Sequence, residues 1–98
     1  MIVYNETYIV DDSVHLEWLE WIKAEHIAQI MGTGLFNSFN ILHVLNSPNE
    51  GVTYCIQYLT DTVANYHLVE QQLLDLHQVL FSRFENKFVQ FTTLMQSI

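Results

Sequence analysis

From Tyr66 to Phe84 apolar side chains recur at Tyr66, Val69, Leu73, Leu76, Leu80 and Phe84. This is the three-and-four spacing of one face of an α-helix, and it leaves this part of the chain little else to become. Thr60-Asp61-Thr62 stands ahead of the run with capping side chains, and Glu85-Asn86 closes it. Such a helix must lay its stripe on an apolar surface. Leu74 and Phe81 make a second arc and Leu68 and Val79 a third. That is more apolar surface than one sheet can cover, so a second contact surface is expected.

The remaining elements supply the sheet. Ile2 to Val10 alternates as Ile2, Tyr4, Glu6, Tyr8, Val10 against Val3, Asn5, Thr7, Ile9, and reads as strand one. Asp11-Asp12-Ser13 caps a first helix, from about Val14 to Glu25, and Gly32-Thr33-Gly34 stops whatever continues it. Leu35 to Leu45 reads as strand two, Asn46-Ser47-Pro48-Asn49-Glu50-Gly51 as a turn, Val52 to Leu59 as strand three and Phe88 to about Met95 as strand four. The order β-α-β-β-α-β, assembled with right-handed crossovers, gives an α+β ferredoxin-like sandwich: a four-stranded antiparallel sheet with two helices on one face.

Tyr4, Tyr8, Phe39, Ile41, Tyr54, Ile56, Tyr58, Val89 and Phe91 are expected beneath the helices. The other face then carries Asn5, Thr7, Ser38, Asn40, Thr53, Cys55, Gln57, Gln90 and Thr92, interrupted by Val3, Ile9, Leu42 and Leu94. It holds no charged residue. Uncharged polar groups mixed with aliphatics suit a surface packed against a second sheet. The expected assembly is therefore a homodimer through the open sheet face, a dimeric α/β barrel.

Composition agrees. Ninety-eight residues allow one domain, 1–98, and only 14% of them are charged, against roughly 25% in an ordinary soluble domain. A net charge of -8, with only Lys23, Arg83 and Lys87 as cations, opposes phosphate backbones and anionic lipid. Neither nucleic acid nor a membrane is an expected partner. Polar residues such as Asn37, Asn40, His43 and Asn46 rule out a span in the uncharged stretch between Glu25 and Glu50. With no signal-peptide pattern, and a lone Cys55 suited to a reducing compartment, the chain reads as cytoplasmic.

At about 100° per residue, Val14, Trp18, Trp21 and Ile22 share one arc of the first helix. Glu25 falls within that arc and His26 beside Leu19. Burying an unpaired charge is costly, so the helix is expected to end or bend here with both groups solvated. The functional alternative is a small pocket lined by Trp18, Trp21, Glu25 and His26. No metal site and no cofactor are expected. His67 and His77 lie roughly 15 Å apart along one helix, and neither HExxH nor a Cys-His spacing occurs.

The segments Met1-Ile2-Val3-Tyr4-Asn5, Trp18-Leu19-Glu20-Trp21 with His26-Ile27, Thr33-Gly34-Leu35-Phe36, Gly51-Val52-Thr53-Tyr54 and Lys87-Phe88-Val89 together resemble a small family of uncharacterised bacterial proteins, a domain of unknown function. The resemblance spans the chain; it implies a ferredoxin-like dimeric α/β barrel and carries no activity. Members often have proline where this chain has Ala28, so no proline enforces a break after His26 here. The fold is shared with cofactor-independent monooxygenases and haem-degrading enzymes, whose pockets between helices and sheet use Asn, Trp and His. Asn5, Trp18, Trp21 and His26 are of those types and form the candidate ligand site, with His26 or Glu25 as candidate catalytic base. The plainer reading of the same residues is two core tryptophans, a strand asparagine and a helix-end histidine.

Three functions fit these residues. The favoured one is a non-catalytic structural or interaction module, the second a binder of a small apolar or aromatic ligand in the helix-sheet cleft. The third is a cofactor-free oxygenase or isomerase. A filled core favours the first, and a cavity touching Trp21 and His26 favours the others.

Overall fold

The computed structural model describes residues 1–98. Its elements are β1 (Ile2–Val10), α1 (His15–Trp21), a π-helical turn (Ile22–Ile27), α2 (Ala28–Gly32), β2 (Ser38–His43), β3 (Val52–Thr60), α3 (Val63–Arg83) and β4 (Phe88–Gln96). The four strands form one antiparallel sheet in the order β2-β3-β1-β4, which is the ferredoxin-like arrangement. β1 is thus central, and β2 and β4 are edges. No helix is long and apolar enough to cross a membrane.

The core lies on one side of the sheet. Tyr4, Tyr8, Tyr54, Ile56 and Tyr58 from the strands meet Trp18, Ile22, Ile27 and Ile30 from the first helical segment and Val69, Leu73, Leu80 and Phe84 around α3. The α3 stripe packs as its spacing predicts, with the Thr62 hydroxyl accepting from the Asn65 N–H at the N-cap. In the turn before β3, Asn46 and Gly51 both take positive φ, 58° and 89°. A side chain at Gly51 would meet the Val10 carbonyl oxygen at 2.5 Å, so the tight approach of this turn to β1 needs glycine.

Two expectations are corrected. The first concerns β4. Its register pairs Gln90 with Tyr8, Thr92 with Glu6 and Leu94 with Tyr4, which turns Gln90, Thr92 and Leu94 toward the helices. Val89 and Phe91 face the open side instead, 58% and 56% exposed, alongside Met95. Their apolarity suggested the core, but pairing parity decides the face. The open face remains without charge and is more apolar than its sequence assignment: Val3, Asn5, Thr7, Ile9, Leu42, Cys55, Gln57, Val89 and Phe91 share it.

The second concerns Glu25 and His26. The helix neither ends nor bends to solvate both. At Ile22–Ile27 it widens into π-helical hydrogen bonding, which takes in one extra residue and turns everything beyond it back by about 100°. Glu25 rotates outward and is exposed, while His26, Ile27 and Ile30 rotate onto the buried arc of Trp18 and Ile22. An uninterrupted α-helix would bury the carboxylate of Glu25 and expose Ile27. The π turn reverses both outcomes.

Candidate functional site

Glu6 occupies the middle of the central strand, on the helix-facing side between Tyr4 and Tyr8, and is 0% exposed. Four groups converge on it. His26 Nε2 lies 3.1 Å from each carboxylate oxygen, and His77 Nε2 lies 2.5 Å from Oε2. The Tyr4 hydroxyl donates to Oε2 at 3.0 Å and the Tyr58 hydroxyl to Oε1 at 3.3 Å. A carboxylate offers about four acceptor positions, so four donors fill it.

Each donor comes from a different part of the fold. The π turn aims His26 inward. His77 follows Leu73 by four residues and precedes Leu80 by three, which puts it on the buried side of α3. Tyr58 reaches across from β3, where it pairs with Tyr4. The two imidazoles stack, ring centroids 5.5 Å apart and planes 21° apart. Tyr8 adds a hydroxyl 3.4 Å from His26 Nε2, and the Gln90 amide sits 3.1 Å from His77 Nε2. His26 Nδ1 is buried without a partner.

Burial alone pushes the Glu6 carboxyl toward the protonated form. Hydrogen bonds from His26 and His77, and the charge those rings carry when protonated, outweigh it and hold the group at about 2. For Tyr4, Tyr8 and Tyr58, burial first and the Glu6 charge second drive the hydroxyls well above the usual phenol range. They are neutral donors. The centre therefore combines one carboxylate, two imidazoles and three hydroxyls, a set able to hold a cation or to pass a proton between ring nitrogens and a bound molecule.

Solvent reaches this trio on one side. The side chains of Glu6 and His26 are 0% exposed and that of His77 is 13% exposed. Beside His77, the helix-facing residues of edge strand β4 are poorly covered by α3: Gln90 is half-buried, and Thr92 and Leu94 are exposed. His77, with Gln90 beside it, is the one member of the trio with any solvent exposure.

Of the residues expected to line a ligand pocket, only His26 joins it. Asn5 points to the opposite face of the sheet, where its amide donates to Thr7 Oγ1. Strand parity separates it from His26 whatever the helices do. Trp18 is fully buried, stacked on Tyr54 at 5.5 Å and tilted against Tyr8 at 4.8 Å. Trp21 is half-buried, edge-on to Phe84. Glu25 is exposed and remote from the cluster's hydrogen bonds. No cavity touches Trp21 and His26, so the ligand and enzyme readings gain no support from that spot. The four surface depressions lie elsewhere; the largest, about 490 Å³, is lined by Gln29, Gly32, Thr33, Gln72, Asp75 and Leu76.

Sequence reasoning missed Glu6 and His77. A signal existed for both: a lone acidic residue at the centre of an apolar alternation, and a histidine in phase with a buried helical stripe. The expectation of no metal site compared His77 with His67, which points away and pairs with Glu70 on the surface. The partners that matter to His77 come from β1 and the π turn.

Fold and site together define a ferredoxin-like α+β protein with a carboxylate-imidazole cluster held between sheet and helices. The chain belongs to DUF4286, a domain of unknown function, whose family model matches residues 1–98. No curated protein matches it in sequence. Solved structures similar to it include a protein from Deinococcus radiodurans assigned to the antibiotic biosynthesis monooxygenases (TM-score 0.72, 13% identity, 99% of this chain and 92% of that one). An uncharacterised NIPSNAP domain protein from Burkholderia xenovorans is also similar (TM-score 0.69, 14% identity, 100% and 95%). So is a dimeric ferredoxin-like protein from an uncultured marine organism (TM-score 0.67, 14% identity, 99% and 95%). Likenesses at this identity establish the fold alone.

Proposed function

We propose that residues 1–98 act as one ligand-binding domain of a homodimeric α/β barrel, with Glu6, His26 and His77 as its working site. The ligand is a small aromatic or apolar molecule bearing a hydrogen-bonding group. One observation carries this reading: a fully buried carboxylate held by imidazoles from two separate elements. Replacing a buried ionic cluster with packed apolar side chains is often neutral or stabilising, by about 1–4 kcal/mol. Stability alone is weak grounds for burying Glu6, so its presence favours a site over a purely structural module. Tyr4, Tyr8, Tyr58 and Tyr66 give the surroundings an aromatic character suited to such a ligand.

A second reading, proton abstraction from the bound molecule by His77, is favoured by that imidazole, which holds the buried carboxylate and is itself partly exposed to solvent. Similarity to the antibiotic biosynthesis monooxygenase fold is compatible with it. The dimer is supported by the uncharged open face, by exposed Val89, Phe91 and Met95 upon it, and by the dimeric ferredoxin-like relative.

Titration with a panel of small phenols, followed by tryptophan emission and by imidazole nitrogen shifts of His26 and His77, tests the site. Binding should weaken at least about tenfold in His77→Gln, which removes a hydrogen bond to the ligand, and in Glu6→Gln, which releases the imidazoles that the carboxylate orients. Affinity unchanged in both variants places the site elsewhere.

A further inference from the structure

We propose that Glu6, His26 and His77 form a mononuclear binding site for a first-row divalent transition metal ion. This rests on reading the cluster as the working site and names what it holds first. Three donors from β1, the π turn and α3 bring their ligand atoms within 4.8 Å of one another. Both histidines present the same nitrogen, Nε2, to the same carboxylate.

The donor chemistry selects the ion. Calcium and magnesium favour oxygen ligands, whereas two imidazoles with one carboxylate suit zinc, iron(II) and cobalt(II). Three protein ligands leave coordination positions open, as in catalytic rather than structural sites. His77 is the one ligand that meets solvent, and Gln90 stands beside it.

Around the ligands, the Tyr4 and Tyr58 hydroxyls donate to the carboxylate and fix its orientation. In the metal-free protein, both imidazoles need a proton on Nε2 to hold Glu6. An ion takes the Nε2 lone pairs, so each ring gives up its Nε2 proton, to its own Nδ1 where the ring is neutral and to solvent where it is charged. For His26 the ring proton then resides on Nδ1, which has no protein acceptor in this structure.

Chelator-treated protein titrated with zinc by calorimetry, and with cobalt(II) by visible absorption, tests the assignment. The expected result is one ion per protomer, cobalt ligand-field bands, a raised melting temperature, and selective paramagnetic shifts of the His26 and His77 imidazoles. Affinity should fall at least about tenfold in Glu6→Gln and His77→Gln, and stay unchanged in His67→Gln. The imidazole shifts need no variant, so a misfolded Glu6→Gln leaves the test intact.

No uptake by the wild-type chain at micromolar metal overturns the proposal. So does uptake that leaves the His26 and His77 signals unmoved. If metal fails to bind while phenol binding still depends on Glu6 and His77, the metal assignment falls and the ligand site stands; if both fail, so does the site.

Discussion

A carboxylate with no exposed surface keeps its charge only while its neighbours hold it. For Glu6 those neighbours are His26 and His77, and the folded-state pKa of about 2 lies below the ordinary value of 4.5. A depressed carboxylate stabilises the fold above its unfolded pKa and loses that contribution as pH falls toward its folded pKa. In chelated buffer, wild-type stability should therefore drop between about pH 5 and pH 2, by on the order of 3 kcal/mol from this group. Glu6→Gln should be flatter across the same window, and denaturant midpoints at stepped pH would show it; parallel curves would remove Glu6 from the acid response. The two tryptophans should also differ. Trp18→Ala removes a fully buried indole and should cost about 3–5 kcal/mol. Trp21→Ala removes a half-buried one and should cost about 1–2 kcal/mol. Equal losses by chemical denaturation would contradict this ranking.

At the scale of elements, the π turn sets which of two adjacent ionisable side chains enters the core. Deleting exposed Ala24 should restore α-helical hydrogen bonding, keep the His26 and Ile27 faces inward, and shift His26 by about one helical rise, 1.5 Å. The His26-Glu6 contact should be lost and stability should fall, because a buried carboxylate loses one of the groups that hold it. Thermal denaturation beside imidazole nitrogen shifts is the measurement, and a deletion that keeps the contact would refute the geometry. Much else at this scale was legible in the sequence. α3 carries one dominant stripe, β1 alternates without a break, and Asn46 to Gly51 forms a turn, so the element order followed from local pattern. The π turn escaped because a constant angle per residue hides an inserted one. Its trace was a phase slip, Ile27 and Ile30 standing about 100° out of step with Trp18 and Ile22. The faces of β4 escaped because pairing, a non-local property, overrode composition. The cluster escaped because its three members lie far apart in the chain and meet only in the assembled fold.

For the whole molecule, the open sheet face is where association is expected. Packing two such faces should bury about 1,000–2,000 Å² in total, enough to tie folding to association. The wild type should sediment as a dimer at micromolar concentration. Gln57→Lys places like charges near each other across the two-fold axis, and Phe91→Lys removes an exposed aromatic from the same face. Both should weaken the dimer and make the melting temperature strongly concentration-dependent. A monomeric wild type, or a double variant that stays fully dimeric, would rule this face out. β4 belongs to both regions: Val89, Phe91 and Met95 lie on one side, Gln90, Thr92 and Leu94 on the other, with Gln90 beside His77. Any shift of the strand on one side carries the other, which would link the two proposed equilibria, and linkage of binding free energies is reciprocal. Whatever factor a compound lodged beside His77 imposes on the dimer dissociation constant, dimerisation imposes on the affinity for that compound. Saturation at a fixed free ligand concentration should then change on serial dilution of the protein through its dissociation constant.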